Sequence, residues 1–279
     1  TSITAALLSL AAAETTVTLA DTDVDAADLF LIANPVHETE EIFFSGTEAR
    51  FDSSACRACG ACLAACRFDA IRLDPGGHAR AAAGCEGCGV CALLCPSAAI
   101  ELVPRRCGLF WKSRTRFGTM FHARLDPAGE NSGKLVTKVR TEARQHALAT
   151  AATWLLVDGP PGIGCPAIAS ITGADAILAV AEPGITSLHD LERLFGLTRH
   201  FSVPTFVVVN KWDINPEMTA TIEAFARAAG VTPAGRIPWS RAFVDSQLAG
   251  QAITEMPAHE NLNATIMKIW RTLCKNMDQ

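Results

Sequence analysis

Eight of the eleven cysteines fall between residues 56 and 95, at fixed steps. They form two runs, Cys56-x2-Cys59-x2-Cys62-x3-Cys66 and Cys85-x2-Cys88-x2-Cys91-x3-Cys95, the second followed by Pro96. Three thiolates two residues apart wrap one corner of an iron–sulfur cubane, and the fourth, on the following helix, serves the neighbouring cubane. The spacing therefore predicts two [4Fe–4S] clusters. Cys56, Cys59, Cys62 and Cys95 are expected to hold one, and Cys85, Cys88, Cys91 and Cys66 the other. Gly60 and Gly89 let the backbone pass close to the sulfides. Arg67 departs from the pattern by standing where the second run has Pro96. Structural zinc would use separated Cys-x2-Cys pairs rather than complete four-cysteine runs.

A second group of residues suits nucleotide chemistry. Asp158 ends the apolar run WLLVD and is followed by Gly-Pro-Pro-Gly162-Ile-Gly. A carboxylate at the carboxyl end of a strand, beside glycine-rich backbone, fits an outer-shell Mg²⁺ contact. Asp21-Thr-Asp23-Val-Asp25 follows the run TVTLAD, Asn210-Lys211-Trp212-Asp213 follows PTFVVV, and Pro238 closes Gly235-Arg-Ile-Pro. Arg105, Arg106, Lys112, Arg114 and Arg116 form a basic stretch after the cysteine runs, read as a solvated loop or as a dock for an acidic redox partner. Cys165, seven residues beyond Asp158, is expected to be buried and inert, and Cys107 and Cys274 carry no motif.

The elements that must position these residues can be read from pattern. Residues 2–13 are expected to be helical and 16–21 a strand. Residues 22–50 show little periodicity, and 105–135 read as irregular. A helix is predicted over 138–153, then strands over 154–158, 176–182 and 204–211, with helices over 188–201, 216–229 and 261–275. A short strand ends at 235–238. Apolar strands alternating with helices imply a parallel sheet covered on both faces. The cysteine module interrupts this series. The predicted fold class is thus α/β, with residues 1–50 and 105–279 forming one domain and 51–104 an inserted α+β domain. Within the insertion CRACGACLAACRFDAI and CEGCGVCALLCPSAAI repeat one another.

Of the 279 residues 49% are hydrophobic and 19% charged, which favours a packed core over disorder. A net charge of −5 argues against nucleic acid as the main partner. No apolar run reaches the roughly 18 residues of a membrane span. Cysteines gathered as ligands, with almost none in the flanks, fit a reducing compartment, and a cytoplasmic location is expected.

Taken in order along the chain, these motifs resemble the MinD/ParA-type (deviant Walker) P-loop ATPases, specifically the subgroup with an inserted ferredoxin domain. The resemblance implies a P-loop NTPase-type sheet carrying a bacterial-ferredoxin-like insertion, with ATP and Mg²⁺ as cofactors beside the two clusters. Asp158 and Gly162 then match the Walker B and switch II segment. Asp23 is favoured as the switch I carboxylate that orients water, with Asp21 and Asp25 as alternatives. Asn210 would contact adenine and Pro238 would lie beneath the base, although Asn210-Lys211-x-Asp213 also resembles the guanine-binding string of GTPases. The family's glycine-rich loop with its two lysines is not found in these residues. Thr1-Ser2 resembles the pair that follows the Walker lysine, which suggests a missing N-terminal segment, and Gly129–Lys134 is no substitute because its glycine spacing is one residue short. The complete protein is expected to hydrolyse ATP, and the 279-residue chain to bind nucleotide poorly. The function implied is nucleotide hydrolysis coupled to electron transfer, with a redox partner protein and, as the resemblance allows, a homodimer. The alternatives are a non-enzymatic electron carrier on an ATPase-like scaffold and a metal or cluster delivery ATPase.

Overall fold

A computed structural model describes residues 1–127, 129 and 132–277. Helix α1 (Ser2–Glu14) is built largely from Ala and Leu, strong helix formers, and is buried nearly all round in its middle turns, with Ala5, Ala6, Leu7 and Leu8 inside. It leads into β1 (Val17–Asp21), all five residues of which are buried. A strand that is apolar throughout belongs inside a parallel sheet. Accordingly β1 pairs in parallel with β6 (Thr119–Leu125) on one side and β7 (Trp154–Asp158) on the other.

Two segments differ from the sequence expectation. Residues 22–50 contain a short helix α2 (Phe30–Ala33) and a long strand β2 (Val36–Phe51). Residues 105–135 contain most of β5 (Ile100–Arg114), all of β6 and the start of α5 (Ser132–Ala149), which begins before the predicted position 138. The five-stranded sheet runs β2-β5-β6-β1-β7, so β2 lies at its edge. Most of β2 is exposed, which leaves no apolar alternation to betray a strand. In β5, Pro104 and Gly108 mimic loop composition. Within the cysteine-rich stretch lie α3 (Ala61–Ala65), the antiparallel pair β3 (Ile71–Leu73) and β4 (Ala79–Ala81), and α4 (Val90–Leu93).

In the remainder β8 (Ile177–Ala181), α7 (Ile185–His200), β9 (Thr205–Asn210), α8 (Pro216–Ala228), β10 (Thr232–Ile237) and α10 (Glu260–Met277) alternate as predicted, and two further short helices, α6 (Cys165–Ile171) and α9 (Ala242–Leu248), lie where none was predicted. Strands β10-β9-β8 form a second, parallel sheet. Pro216 at the start of α8, with Asn215 Oδ1 accepting from Met218 N at 3.0 Å, supplies a conventional helix cap.

The chain divides into two compact units. The first comprises Thr1–Glu41, Leu109–Leu125 and Asn131–Gln279; the second comprises Ile42–Gly108 and Asp126–Glu130. The first has an extensive core in which Leu8, Leu19, Ile266 and Ile269 are sealed from water, each burial contributing about 1.5–3 kcal/mol. The second has a meagre core of Ala49, Cys62, Ile71, Ala79 and Ile100, with Cys56, Cys66, Cys85, Cys91 and Cys95 packed against it. A unit of this size with so few apolar side chains depends on further cross-links for stability.

In the first unit, β5 and β6 bury a polar bridge. Ser113 Oγ lies 2.9 Å from both His37 Nδ1 and His122 Nε2, and Trp111 stacks 5.2 Å from the His122 ring. Burial, with some repulsion from His37, pushes His122 down to about 4 from 6.5. A histidine held neutral in the fold contributes stability above pH 6.5 that is lost as pH falls toward 4. Roughly 1.36 kcal/mol per pH unit makes this about 3 kcal/mol. Denaturant unfolding at pH 7 and pH 4 should show His122→Asn losing about that much less on acidification than the unsubstituted protein. Equal acid losses in the two would remove His122 from the account.

Candidate functional site

The cysteine runs fold as a repeat with a step of 29 residues. Ala58 and Gly87, Gly60 and Gly89, and Asp69 and Ala98 all take left-handed backbone, with φ of 53° and 63°, 72° and 77°, and 51° and 50° respectively. Each run then turns into a short helix, where Ala64 N donates to Gly60 O at 3.1 Å and Leu93 N to Gly89 O at 3.0 Å. Gly87 is needed for a further reason: a Cβ there would stand 2.2 Å from Thr47 O. Ala58, its repeat partner, has room for a side chain and tolerates the strained angle.

This backbone brings Cys56, Cys59, Cys62 and Cys95 to the wall of one pocket, together with Arg57, Leu73, Ala79 and Ile100. The fourth thiol of the second run thus joins the first three of the first run. Cys66, Cys85 and Cys91 pack on the same small core, while Cys59 and Cys88 are exposed. Burial pushes the Cys62 and Cys91 thiols up. At Cys95 desolvation, the largest single effect, is outweighed by the combined hydrogen bonds of the Ala99 N–H, 3.3 Å from Sγ, of Ser97 and of the Ala98 N–H, and the thiol sits below its ordinary value. Among the described residues no three His, Cys, Asp or Glu side chains are gathered tightly enough for one metal ion. The four thiols surround a pocket rather than a point, and soft sulfur donors so arranged fit an iron–sulfur cluster.

A separate polar centre lies in the first unit. Because β1 and β7 are register partners, Asp21 and Asp158 sit side by side at the strand ends, 1% and 4% exposed. Asp158 Oδ1 accepts from Thr4 Oγ1 at 2.6 Å, and Oδ2 is buried with no hydrogen-bond partner in the structure. Asp21 accepts from Asp23 N at 3.2 Å and Leu29 N at 3.3 Å. Burial first, and the Asp158 charge second, push Asp21 up to about 7. Burial also raises Asp23, which is half-buried. An orphaned carboxylate oxygen beside a second buried carboxyl group fits a hard cation such as Mg²⁺. Thr22 N and Oγ1 donate to Asp158 O at 2.9 and 2.7 Å, and Ser170 Oγ donates to Thr22 Oγ1 at 2.9 Å, which ties the Asp23 turn to α6. Gly162 lies in the exposed loop between β7 and α6, with φ of 86°.

At the carboxyl ends of β9 and β10 a pocket of about 350 Å³ is lined by Ser2, Ile3, Asn210, Lys211, Pro238 and Trp239, among others. Asn210 Oδ1 is buried there without a partner. Lys211 Nζ reaches Glu182 Oε1 at 2.6 Å. Asp213 does not line the pocket; its Oδ1 accepts from Trp239 N at 2.7 Å and so holds the loop after Pro238. Trp239, 57% exposed, escaped the sequence reading; its only signal was an aromatic residue directly after Pro238. Thr4 and Thr22 were likewise missed, being unremarkable residues of a helix and a strand end.

Two other expectations change. Cys165 is exposed at the start of α6, not buried, because the glycine-rich loop before it opens to solvent. The basic stretch is largely β-strand rather than loop. Arg106 pairs with Asp126 at 2.9 Å, Lys112 with Glu38 at 3.8 Å and Arg116 with Glu255 at 2.8 Å, so these charges are already matched. In the Gly129–Lys134 string, Glu130 and Asn131 lie outside the described residues, while Ser132–Lys134 opens α5.

A 4Fe–4S dicluster domain description matches residues 55–99. In sequence the chain is 32% identical over 217 residues to the uncharacterized protein MJ0578 of Methanocaldococcus jannaschii, covering 77% of this chain and 74% of that protein. In structure it is similar to the septum site-determining protein MinD of Pyrococcus horikoshii, solved with Mg-ADP, at a TM-score of 0.57 and 14% identity over 98% of this chain and 89% of that one. A ParA family ATPase from Chlorobium tepidum matches at a TM-score of 0.50 and 19% identity, over 98% of this chain and 92% of that one. The structural likenesses speak for the fold and the sequence relative for descent: this chain carries a 4Fe–4S dicluster domain on a MinD/ParA-like α/β fold, and it belongs to the family of MJ0578.

Proposed function

We propose that this protein passes electrons through two [4Fe–4S] clusters and that its α/β domain couples that transfer to a Mg²⁺–adenine nucleotide. The observation that carries the reading is the gathering of Cys56, Cys59, Cys62 and Cys95 around one pocket. Those four thiolates would hold one cluster, and Cys85, Cys88, Cys91 and Cys66 the other. Each cluster supplies reversible one-electron chemistry when bound. The remaining work falls to the chain itself. Asp158 and Asp21 would balance the charge of Mg²⁺, with Asp23 turned toward water. Asn210 Oδ1, buried and unpartnered, would accept from an exocyclic amino group, a donor that adenine has at its six position and guanine lacks there. Asp213, whose Oδ1 already accepts from Trp239 N, would then not be the reader of a guanine base. A MinD/ParA-like subunit pairing, as a homodimer, is the assembly through which nucleotide state would act.

Anaerobically reconstituted protein should hold about eight iron and eight sulfide per chain and show reversible reduction with the iron retained. Zinc in place of iron would end the reading. Iron that leaves promptly for a chelator or an apo-protein would instead favour cluster delivery, a function that the exposed Cys59 and Cys88 thiols would serve.

A further inference from the structure

The small β3–β4 hairpin of the second unit has two unlike faces. Its register pairs Ile71 with Ala81, Arg72 with Arg80 and Leu73 with Ala79. Ile71 and Ala79 are buried, and Leu73 and Ala79 line the pocket of Cys56, Cys59, Cys62 and Cys95. One face of the hairpin therefore covers that pocket. The alternation of a strand turns Arg72 and Arg80 to the other face, directly opposite each other, and both are exposed. Like charges in a cross-strand pair are destabilising. The nearest relief is from carbonyls: Arg72 Nη1 donates to Asp69 O at 2.7 Å and Ile71 O at 2.9 Å. Among the described residues none of Arg57, Arg72 and Arg80 is ion-paired to a carboxylate. The nearby Asp52 and Asp74 carboxylates accept N–H groups of their own turns.

The repeat shows that this charge is not a by-product of the motif. One step of 29 residues on, Arg57 becomes Glu86 and Arg72 becomes Glu101, and Glu101 is neutralised by Arg50 at 2.6 Å. Unmatched positive charge is thus confined to the half that lies over the Cys56, Cys59, Cys62 and Cys95 pocket. A local arrangement that costs stability and leaves cations facing water is explained by an anionic partner surface.

We propose that the outward face of the β3–β4 hairpin, with Arg72 and Arg80, is the docking surface for an acidic electron-transfer protein. The inference rests on the cluster reading above. One electron would pass between the partner's iron–sulfur centre and the cluster that Cys56, Cys59, Cys62 and Cys95 would hold, one oxidised as the other is reduced, with no bond made and no proton moved. The charges raise the encounter rate and fix orientation, so the interaction is sensitive to salt.

The test uses the iron-loaded 279-residue chain and, as probe, an acidic plant-type [2Fe–2S] ferredoxin, with affinity measured by titration calorimetry at low and high salt. Binding should weaken about tenfold when salt rises from about 20 to about 200 mM. Arg72→Glu with Arg80→Glu should weaken low-salt binding by about tenfold and flatten the salt dependence. The milder Arg72→Gln with Arg80→Gln should fall between, keep its iron, and unfold no more readily than the parent because a repulsion has been removed. Glu86→Gln should leave affinity unchanged. Unaltered affinity and salt dependence in the iron-replete Gln variant would overturn the proposal. So would retained ferredoxin binding with lost binding to phosphatidylglycerol vesicles, which would assign the face to an anionic lipid surface. Absence of iron from the parent protein would instead strike the cluster reading, and calorimetry reports the charge dependence separately.

Discussion

Cys95→Ala should reduce the iron content from about eight to about four per chain, and the cluster lost should be that of Cys56, Cys59 and Cys62. The expectation follows from geometry: Cys95 shares a pocket with those three cysteines although it belongs to the other run. Double substitution identifies which cluster has gone without any spectroscopic assignment. If Cys56 and Cys95 serve the same cluster, Cys56→Ala added to Cys95→Ala changes nothing further, and about four iron remain. Added to Cys85→Ala, by contrast, Cys95→Ala should leave none. Residues that act as one unit are non-additive, and residues of separate units add. The mirror pair, Cys66 with Cys85, should behave in the same way. The reverse pattern, with about four iron surviving in the Cys85, Cys95 double variant and none in the Cys56, Cys95 variant, would show each run closing on its own cluster.

Why the cysteines could be read so directly, and other features could not, has a physical basis. Ligand spacing is a local property: two residues between thiolates set the geometry whatever surrounds them. The repeated αL positions at residues 58 and 87 follow from the same local demand, and only Gly87 meets an additional long-range one, from Thr47. Strands such as β1 and β9 were legible because burial on both faces writes a continuous apolar run into the sequence; β7 carries such a run although it is an edge strand and half-buried apart from Asp158. Strand β2 was not, because at a sheet edge its Glu38, Glu40 and Glu41 satisfy no periodicity. The role of Asp213 was equally hidden. A motif names the residue, but whether its carboxylate reaches a ligand or the Trp239 N–H depends on a loop contributed 26 residues later. Cys165 illustrates the same limit, since its exposure depends on how the Gly159–Gly164 loop lies and not on its own neighbours.

Removing the Asp21 charge should change how stability depends on pH by about 4 kcal/mol. Asp21 titrates near 3.8 when solvated and about 7 in the fold, where burial and then the Asp158 charge disfavour ionisation. The folded state therefore binds this proton more tightly than the unfolded state does. Its contribution to stability is fully present below about pH 4 and is lost as pH rises through about 7. At roughly 1.36 kcal/mol per pH unit the three-unit shift amounts to about 4 kcal/mol. Asp21→Asn should abolish that loss. Its amide nitrogen cannot accept the N–H that one carboxylate oxygen now receives from Asp23 or Leu29, which costs about 1–3 kcal/mol at every pH. The variant should therefore be less stable than the parent at pH 4 and more stable at pH 8. His122 produces a slope of opposite sign over part of the same range, so the quantity to measure is the difference between variant and parent at each pH, which cancels it. Millimolar Mg²⁺ should stabilise the parent at pH 8, where Asp21 is ionised, and stabilise Asp21→Asn much less. A variant that is destabilised equally at pH 4 and pH 8 would show that burial and the Asp158 charge do not hold a proton on Asp21.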